Sequence, residues 1–282
     1  MKHVLVTGAS SGIGLALCKL LVRDHGCYVY LGSRNPTKGA GCLEGILAEV
    51  PDAKGKIEVL AIDVTDDASV AAAAASLKAK GVSLYGLVNN AGVGLAQPGA
   101  PNGPEGILAT NYFGVKRVTD ALVGLVSDRI VNVSSGGASM FLKKQDAATK
   151  ALYSNPDLTL AELEDDLQAK VDSGNTGMGN GYGLSKAALS ALTLIQAKAY
   201  PNLKVVSLSP GFIDTPMTQG FGARLTPEQG CVSSVKCLFE EVTTGFYYGS
   251  DGLRSPLTMT RDPGMPVYEG EDNPSQDKYN RS

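Results

Sequence analysis

The chain has 282 residues, of which 43% are hydrophobic and 19% are charged, and its net charge at pH 7 is −3. These values favour one large α/β domain over residues 1–282 and argue against nucleic-acid binding. No apolar run is long enough for a membrane span, and the five cysteines lack metal-ligand spacing, so we expect a cytoplasmic protein with no membrane partner and no metal.

The first predicted element is a short apolar strand, residues 4–6, followed by a glycine-rich turn at residues 7–14 and an amphipathic helix. This order is typical of a nucleotide-binding βαβ unit, although an ordinary glycine-rich turn is the alternative. Gly8 permits the sharp exit, Gly12 lets a pyrophosphate approach, and Gly14 brings the helix close to the sheet. The helix N-terminus favours anions. The predicted phosphate contacts are Gly8, Ser10, Ser11, Gly12, Ile13 and Gly14.

The second predicted strand, residues 27–32, ends at Ser33 and Arg34. A carboxylate at this point would bind the ribose 2′-hydroxyl of NAD, but the sequence has none here. A guanidinium can instead pair with the 2′-phosphate of NADP. Ser33 and Arg34 therefore predict NADP(H) in preference to NAD(H), with a solvated loop arginine as the alternative.

Two further apolar strands are predicted, at residues 57–62 and 84–88, each after a helical pattern. Strands that alternate with helices favour a doubly wound parallel sheet, whose carboxyl ends hold the ligand. The residues directly after these two strands are therefore further candidates for contact with the nucleotide: Asp63, Val64, Asn90, Ala91 and Gly92.

A tyrosine and a lysine, Tyr182 and Lys186, begin a long helical pattern and lie four residues apart on one face. A nearby ammonium would lower the pKa of the tyrosine and make it a better proton donor. Ser135, at the end of the fifth predicted strand, could stabilise charge on a reacting oxygen. Each residue could also be structural, and Ser134 is the rival for the role of the serine.

Several motifs together resemble the short-chain dehydrogenase/reductase superfamily over about residues 2–250. They are the glycine-rich turn at 7–14, Asn89-Asn90-Ala91-Gly92, the strand and serines at 130–135, Tyr182-x-x-x-Lys186 and Pro210-Gly211. The resemblance implies a Rossmann-like sheet of about seven parallel strands and hydride transfer between NAD(P)H and a carbonyl or alcohol. It also implies that Ser135 is the catalytic serine and that Asn111 helps to hold Lys186 and a water in a proton relay. By the same resemblance, Pro210, Gly211, Ile213 and Thr215 contact the cofactor.

The sequence departs from the usual family pattern between Ser135 and Tyr182, which are unusually far apart. Residues 139–179 form this insertion, and within it Thr159 and Glu162 make a capping-box signature before a helical pattern. The arrangement resembles the monomeric carbonyl reductase branch, whose insertion covers the face that other members use to form oligomers. The resemblance therefore implies a monomer, with a lid or a surface decoration as the alternatives.

The remaining predicted elements are a sixth strand at residues 205–208, a helix at 226–241, a seventh strand at 245–248 and an irregular tail at 249–282. The prediction from the whole chain is an NADPH-dependent reductase of small ketones, aldehydes or quinones. A dedicated pathway-specific alcohol dehydrogenase or ketoreductase is the alternative within the enzymes. A non-catalytic NADP(H)-binding sensor is the alternative outside them.

Overall fold

The computed structural model describes residues 1–95, 99, 101, 103–259, 261–271 and 276–279. Seven parallel strands form one sheet in the order β3-β2-β1-β4-β5-β6-β7. They are β1 His3–Val6, β2 Tyr28–Ser33, β3 Ile57–Ala61, β4 Leu84–Asn89, β5 Val126–Val133, β6 Lys204–Leu208 and β7 Tyr247–Tyr248. The predicted Rossmann-like sheet is therefore confirmed.

Helices cover both faces of this sheet. They are α1 Gly12–Arg23, α2 Pro36–Glu49, α3 Asp67–Ala79, α4 Pro104–Leu108, α5 Gly114–Leu122, α6 Gly136–Lys143, α7 Ala147–Tyr153, α8 Leu160–Asp172, α9 Tyr182–Ala199, α10 Val232–Phe239 and α11 Gln276–Tyr279. Alternation along β1 divides the core, because Val4 and Val6 pack with α1 while Leu5 packs with α3 and α5. In the described part of the chain, no helix combines the length and the hydropathy needed to cross a membrane.

The order of the strands leaves a crevice at the carboxyl ends of β1 and β4. The chain builds outward from β1 to β2 and β3, then returns to place β4 on the other side of β1. The connections after β1 and β4 therefore run in opposite directions, and open α/β sheets bind ligands at this point.

The last predicted helix is shorter than expected. The segment begins with a short 3₁₀ turn, Gln229–Cys231, and α10 starts only at Val232. Gln229 folds back on Thr226: its Oε1 accepts from the Thr226 N–H at 2.8 Å, and its own N–H donates to Thr226 Oγ1 at 3.2 Å. These two bonds form a capping box, so the predicted N-cap at Thr226 is present. The turn that follows is 3₁₀ and not α-helical, because the Cys231 N–H donates to the Glu228 carbonyl three residues back.

The seventh strand is also shorter than predicted and consists of Tyr247 and Tyr248. Gly245 has a φ of 82°, which belongs to the left-handed region and is incompatible with extended strand backbone. The strand therefore begins only after this turn.

Three helices, α6 to α8, lie between Ser135 and Tyr182. The predicted capping box is present, since Thr159 Oγ1 accepts from the Glu162 N–H and Glu162 accepts from the Thr159 N–H. On the other side of α8, Leu163 is fully buried in the cluster that also contains residues of α9. Helix α8 thus covers part of α9.

The segment after β7 is irregular but packs on the domain. The side chain of Arg261 is fully buried, and its guanidinium pairs with Asp251 at 2.9 Å. The guanidinium of Arg254 stacks 3.6 Å from the centre of the Phe246 ring. Of the predicted tail at 249–282, residues 260, 272–275 and 280–282 lie outside the described residues.

Candidate active site

The crevice at the carboxyl ends of the strands contains most of the predicted nucleotide contacts. Those that line it are Gly8, Ser10, Ser11, Gly12, Ile13, Gly14, Arg34, Asp63, Val64, Asn90, Ala91, Gly92, Tyr182, Lys186, Pro210 and Thr215. The predicted contacts Ser33, Gly211 and Ile213 are not among the residues that line the crevice, and neither are Asn111 and Ser135, whereas Ser134 is. The crevice joins the segments after six different strands, β1 to β6.

The glycine-rich loop after β1 is tied to the loop after β4. Asn90 Nδ2 donates to the carbonyls of Thr7 and Gly8, at 2.8 and 3.3 Å. A Cβ on Gly14 would lie 2.4 Å from Asn90 Nδ2, so only glycine fits this close approach. Ser11 is the N-cap of α1, and its side chain makes no capping hydrogen bond. Because the N-cap side chain does not bond to them, the first N–H groups of α1 can bind an anion.

The outer end of the crevice carries two cations, Arg34 and Lys38. Asn35 caps α2 by accepting from the Lys38 N–H at 3.0 Å, which sets Lys38 in the first turn after Arg34. Ser33 is 1% exposed, and its hydroxyl donates to the Asn35 carbonyl at 2.8 Å. Burial opposes ionisation of Asp63, but hydrogen bonds from Thr65 and the charge of Arg34 lower the pKa of Asp63 overall.

The inner end of the crevice holds Tyr182 and Lys186. Both are buried in the first turns of α9, and Lys186 Nζ lies 5.8 Å from the centre of the Tyr182 ring. Lys186 Nζ donates to the carbonyl of Val133 at 2.8 Å. The ammonium is thereby fixed between the end of β5 and the tyrosine.

The two candidate serines have different surroundings. Ser134 Oγ donates to the Lys186 carbonyl at 2.9 Å and lies 2.8 Å from Ser190 Oγ, so it is engaged with α9. Ser135 is the N-cap of α6, and its Oγ accepts from the Gly137 N–H at 3.0 Å. The Ser135 hydroxyl also forms a hydrogen bond that acts on the pKa of Tyr182. Ser135 is thus the serine that borders the tyrosine hydroxyl.

Asn111 lies in a π-helical turn, Ala109–Phe113, and is fully buried. Its Oδ1 accepts from the Val93 N–H and its Nδ2 donates to the Val93 carbonyl, each at 2.9 Å. Nδ2 also donates to Ser185 Oγ at 3.0 Å. The side chain therefore joins the loop after β4 to α9, one residue before Lys186.

The expected lowering of the Tyr182 pKa is wrong for this structure. Burial raises the pKa of Tyr182 above its ordinary value, and only the hydrogen bond from Ser135 opposes this rise. Burial also lowers the pKa of Lys186 to about 8. The physical reason is that both groups lie in a dry environment, where desolvation disfavours the charged form of each.

Large apolar side chains are exposed in the segments that follow β5 and β6, outside the crevice lining. Met140 of α6 is 51% exposed, and Phe212 and Phe221 of the loop after β6 are 50% and 52% exposed. Gly211 has a φ of 95°, which turns this loop back over the end of β6. Large apolar side chains that stay exposed often mark a binding surface.

Some residues of the crevice were not found from the sequence. Lys38 lines it beside Arg34, and a signal was available, because Lys38 lies in the first turn of the helix predicted to start directly after Arg34. Thr65 and Asn35 also line it, through turns that local sequence does not specify. Tyr247 lies behind Ser135, with its hydroxyl 3.1 Å from the Ser135 carbonyl.

The sheet, the glycine-rich turn and the buried tyrosine–lysine pair define an oxidoreductase that works with a nicotinamide nucleotide. A family model described as short chain dehydrogenase matches residues 2–154. The chain belongs to this family of oxidoreductases.

Named relatives and solved structures agree with this assignment. (−)-Isopiperitenone reductase of Mentha piperita is 32% identical over 270 residues, covering 77% of this chain and 86% of that protein. The structure of salutaridine reductase from Papaver somniferum has a TM-score of 0.75 at 28% identity and covers 88% of this chain and 99% of its own. An NADPH-bound carbonyl reductase from chicken fatty liver has a TM-score of 0.65 at 25% identity, covering 89% and 97%. This chain is thus similar to several proteins named as reductases, one of them a carbonyl reductase.

Proposed function

We propose that this protein uses NADPH to reduce the carbonyl of a ketone, aldehyde or quinone to the alcohol. The observation that carries the proposal is the distribution of charge and proton donors along one crevice. Two cations stand at its outer end, and Tyr182, Lys186 and Ser135 meet at its inner end. Its relatives include proteins named isopiperitenone reductase, salutaridine reductase and carbonyl reductase.

The crevice fits a phosphorylated dinucleotide. The glycine-rich turn approaches the β4 loop too closely for any side chain at Gly14, and the N-cap of α1 leaves backbone N–H groups for a pyrophosphate. Arg34 and Lys38 would pair with the 2′-phosphate. When bound, NADPH supplies the hydride, and the lining and the loop at Pro210, Gly211, Ile213 and Thr215 would hold the nucleotide.

Tyr182 is the proposed proton donor to the carbonyl oxygen. Burial keeps its pKa above the ordinary value, so the hydroxyl carries its proton at neutral pH. Ser135 accepts the Gly137 N–H through its oxygen and hydrogen-bonds to Tyr182, so its own proton would turn to the reacting oxygen when a substrate binds beside the tyrosine. The two hydroxyls together would stabilise negative charge as it develops on that oxygen.

Lys186 and Asn111 are proposed to support the proton path. Lys186 is mostly protonated at neutral pH, because its pKa is about 8. Its charge favours loss of the Tyr182 proton at the moment when the oxygen takes it. Asn111 bonds to Val93 and Ser185 and so holds the β4 loop against the first turn of α9. No hydrogen bond joins Asn111 and Lys186 directly among the described residues, so a relay between them would require a water.

The direct test is loss of NADPH absorbance with a panel of quinones, aromatic aldehydes, diketones and ketoesters. Turnover of several of these compounds would support the proposal. Turnover of one compound alone would favour the dedicated ketoreductase. NADPH binding with no turnover of any carbonyl compound would contradict the proposal and favour the sensor.

The preference for NADPH should depend on Arg34 and Lys38 together. Replacing both, Arg34→Asp with Lys38→Glu, should raise KM for NADPH by about 100-fold and change KM for NADH little, because each cation–phosphate pair contributes about 1.5 kcal/mol. Steady-state kinetics with both cofactors measures the ratio. Lys54→Asp, at an exposed lysine outside the crevice, is the control for charge. An unchanged ratio would mean that the 2′-phosphate binds elsewhere.

The insertion is proposed to keep the protein monomeric. Leu163 and Leu167 of α8 pack in the same cluster as Leu184 and Leu189 of α9, so α8 already occupies a face of α9. A second copy would have to displace α8 to use this face. Sedimentation equilibrium at micromolar concentration should therefore give the mass of one chain. A dimer mass across the whole concentration range would contradict this.

A further inference from the structure

A second buried tyrosine lies close to the candidate active site without lining the crevice. Tyr247 is the first residue of β7 and is 8% exposed. Its hydroxyl donates to the carbonyl oxygen of Ser135 at 3.1 Å, across 112 positions of sequence. The mechanism proposed above uses the hydroxyl of Ser135 and assigns no role to Tyr247.

Ser135 lies between the end of β5 and the start of α6. The position of its hydroxyl therefore depends on how firmly its backbone is held. The α6 side is held by local bonds: Ser135 Oγ accepts from the Gly137 N–H, and the Ser135 carbonyl accepts from the Ala138 N–H, each at 3.0 Å. These bonds belong to the first turn of a helix and would move with it. The hydrogen bond from the Tyr247 hydroxyl connects the same carbonyl to strand β7 of the sheet.

The environment of Tyr247 suits this task. Burial raises the pKa of Tyr247 to about 12, so the hydroxyl remains a donor throughout the working range of pH. The side chains of Ser209 and Ser139, the latter in α6, lie close enough to this hydroxyl to oppose the rise in its pKa. Ser209 Oγ in turn accepts from the N–H of Gly136 at 3.0 Å. Tyr247 therefore sits among groups from the start of α6 and from the end of β6.

We propose that Tyr247 is a positioning residue: its hydrogen bond fixes the backbone of Ser135 relative to the sheet, so that the Ser135 hydroxyl can reach the reacting oxygen. The proposal rests on the proposed function, in which Ser135 donates to that oxygen. Tyr247 itself touches neither substrate nor cofactor. Its contribution reaches the reaction only through the placement of Ser135.

The test is a double-mutant cycle on turnover. Tyr247→Phe removes the hydroxyl and keeps the ring, and it should lower kcat about tenfold with KM for NADPH unchanged. In the Ser135→Ala background the same change should lower kcat by less than about twofold, because no serine hydroxyl remains to be positioned. A merely structural role would lower kcat equally in both backgrounds.

The neighbouring residue supplies a matched control. Tyr248 is the next residue of the same strand and is 7% exposed, but adjacent strand residues point to opposite faces of the sheet. Its hydroxyl accepts from the Thr243 N–H at 2.8 Å. Tyr248→Phe should leave kcat within about twofold of the wild type. An equal loss in Tyr248→Phe and Tyr247→Phe would overturn the proposal.

The remaining outcomes separate the two claims. Wild-type protein that turns over a carbonyl compound, with an equal effect of Tyr247→Phe in both backgrounds, overturns the positioning role alone. A raised KM for NADPH in Tyr247→Phe also overturns it, because the tyrosine would then act through the cofactor loop. Wild-type protein that reduces no carbonyl compound overturns the proposed function and this role with it.

Discussion

Replacing Tyr182 with phenylalanine is expected to lower kcat by about 1,000-fold, because a positioned proton donor contributes about 10²–10⁴ to the rate. The ring itself should stay in place. A Cβ on Gly94 would lie 2.6 Å from Tyr182 Cδ2, and one on Gly137 would lie 3.2 Å from Cε1, so the ring is packed against backbone on two sides. The affinity for NADPH, measured by fluorescence titration, should change less than about threefold.

The other end of the same helix provides the control for this variant. Tyr200 is the C-cap residue of α9, and its hydroxyl donates to Asp120 Oδ1 at 3.4 Å, at the opposite end of the helix from Tyr182 and outside the crevice lining. Tyr200→Phe should keep wild-type turnover. Residual activity of Tyr182→Phe above about one tenth of the wild type would remove Tyr182 from the chemistry. A lost affinity for NADPH would instead mean that the hydroxyl serves binding.

What could be predicted from the sequence depended on how local the cause was. The capping box of Thr159 and Glu162 was predictable, because both partners lie within one helical turn and their bonds form whatever surrounds them. The glycine-rich turn was predictable for a similar reason, since Gly8 must adopt a φ of 64° between a strand and a helix. The sheet followed from apolar strands that alternate with helices.

The features that were missed depend on contacts between distant segments. The pKa of Tyr182 was expected to fall because of Lys186, but its direction is set by burial, which arises only when the β4 loop, α6 and α9 pack together. The contact between Tyr247 and Ser135 has no signal in either local sequence. The helix predicted from Thr226 has its cap, since Thr226 and Gln229 form a capping box, but its first turn is 3₁₀ and the α-helix begins only at Val232.

Replacing Lys186 with methionine is expected to lower kcat by at least about 100-fold while making the folded protein more stable at pH 7. The two effects have one origin. Burial lowers the pKa of Lys186 from 10.5 to about 8, so the folded state disfavours the ammonium that it still carries at pH 7. This cost is about 3 kcal/mol. Methionine removes it but leaves the Val133 carbonyl without its donor, which costs about 1–2 kcal/mol.

Lys186→Met should therefore raise the free energy of unfolding by about 1–2 kcal/mol at pH 7. Each kcal/mol corresponds to a rise in Tm of roughly 2–4 °C. Its dependence on pH follows from the direction of the shift. The lysine destabilises the fold fully at pH values below about 8, where it is charged in both states. As the pH rises from about 8 to 10.5, the folded state loses its proton first and the penalty disappears. The stability curves of the wild type and Lys186→Met should therefore cross in this interval, because above it only the lost hydrogen bond to the Val133 carbonyl distinguishes the two proteins.

A second buried lysine, Lys170, provides the control that distinguishes the effect of Lys186→Met from the effect of removing any buried charge. Lys170 of α8 is 8% exposed, but it pairs with Asp166 at 3.4 Å and donates to Thr149 Oγ1 at 3.3 Å. Lys170→Met should lower Tm, because it leaves the partly buried Asp166 without its partner. It should leave kcat within about twofold, because α8 lies outside the crevice lining.

Chemical denaturation at pH 7 and at pH 10 gives the free energy of unfolding of the wild type, Lys186→Met and Lys170→Met. If Lys186→Met is less stable than the wild type at pH 7, or if its advantage persists at pH 10, then desolvation of the ammonium is not the main cost at this position. The contrast with Lys170 carries the functional argument. A buried lysine that serves only the fold has a carboxylate to offset its desolvation, whereas Lys186 has a neutral carbonyl and a tyrosine. An unpaired cation held at this cost beside Tyr182 is the arrangement that a proton donor needs when its own anion must form.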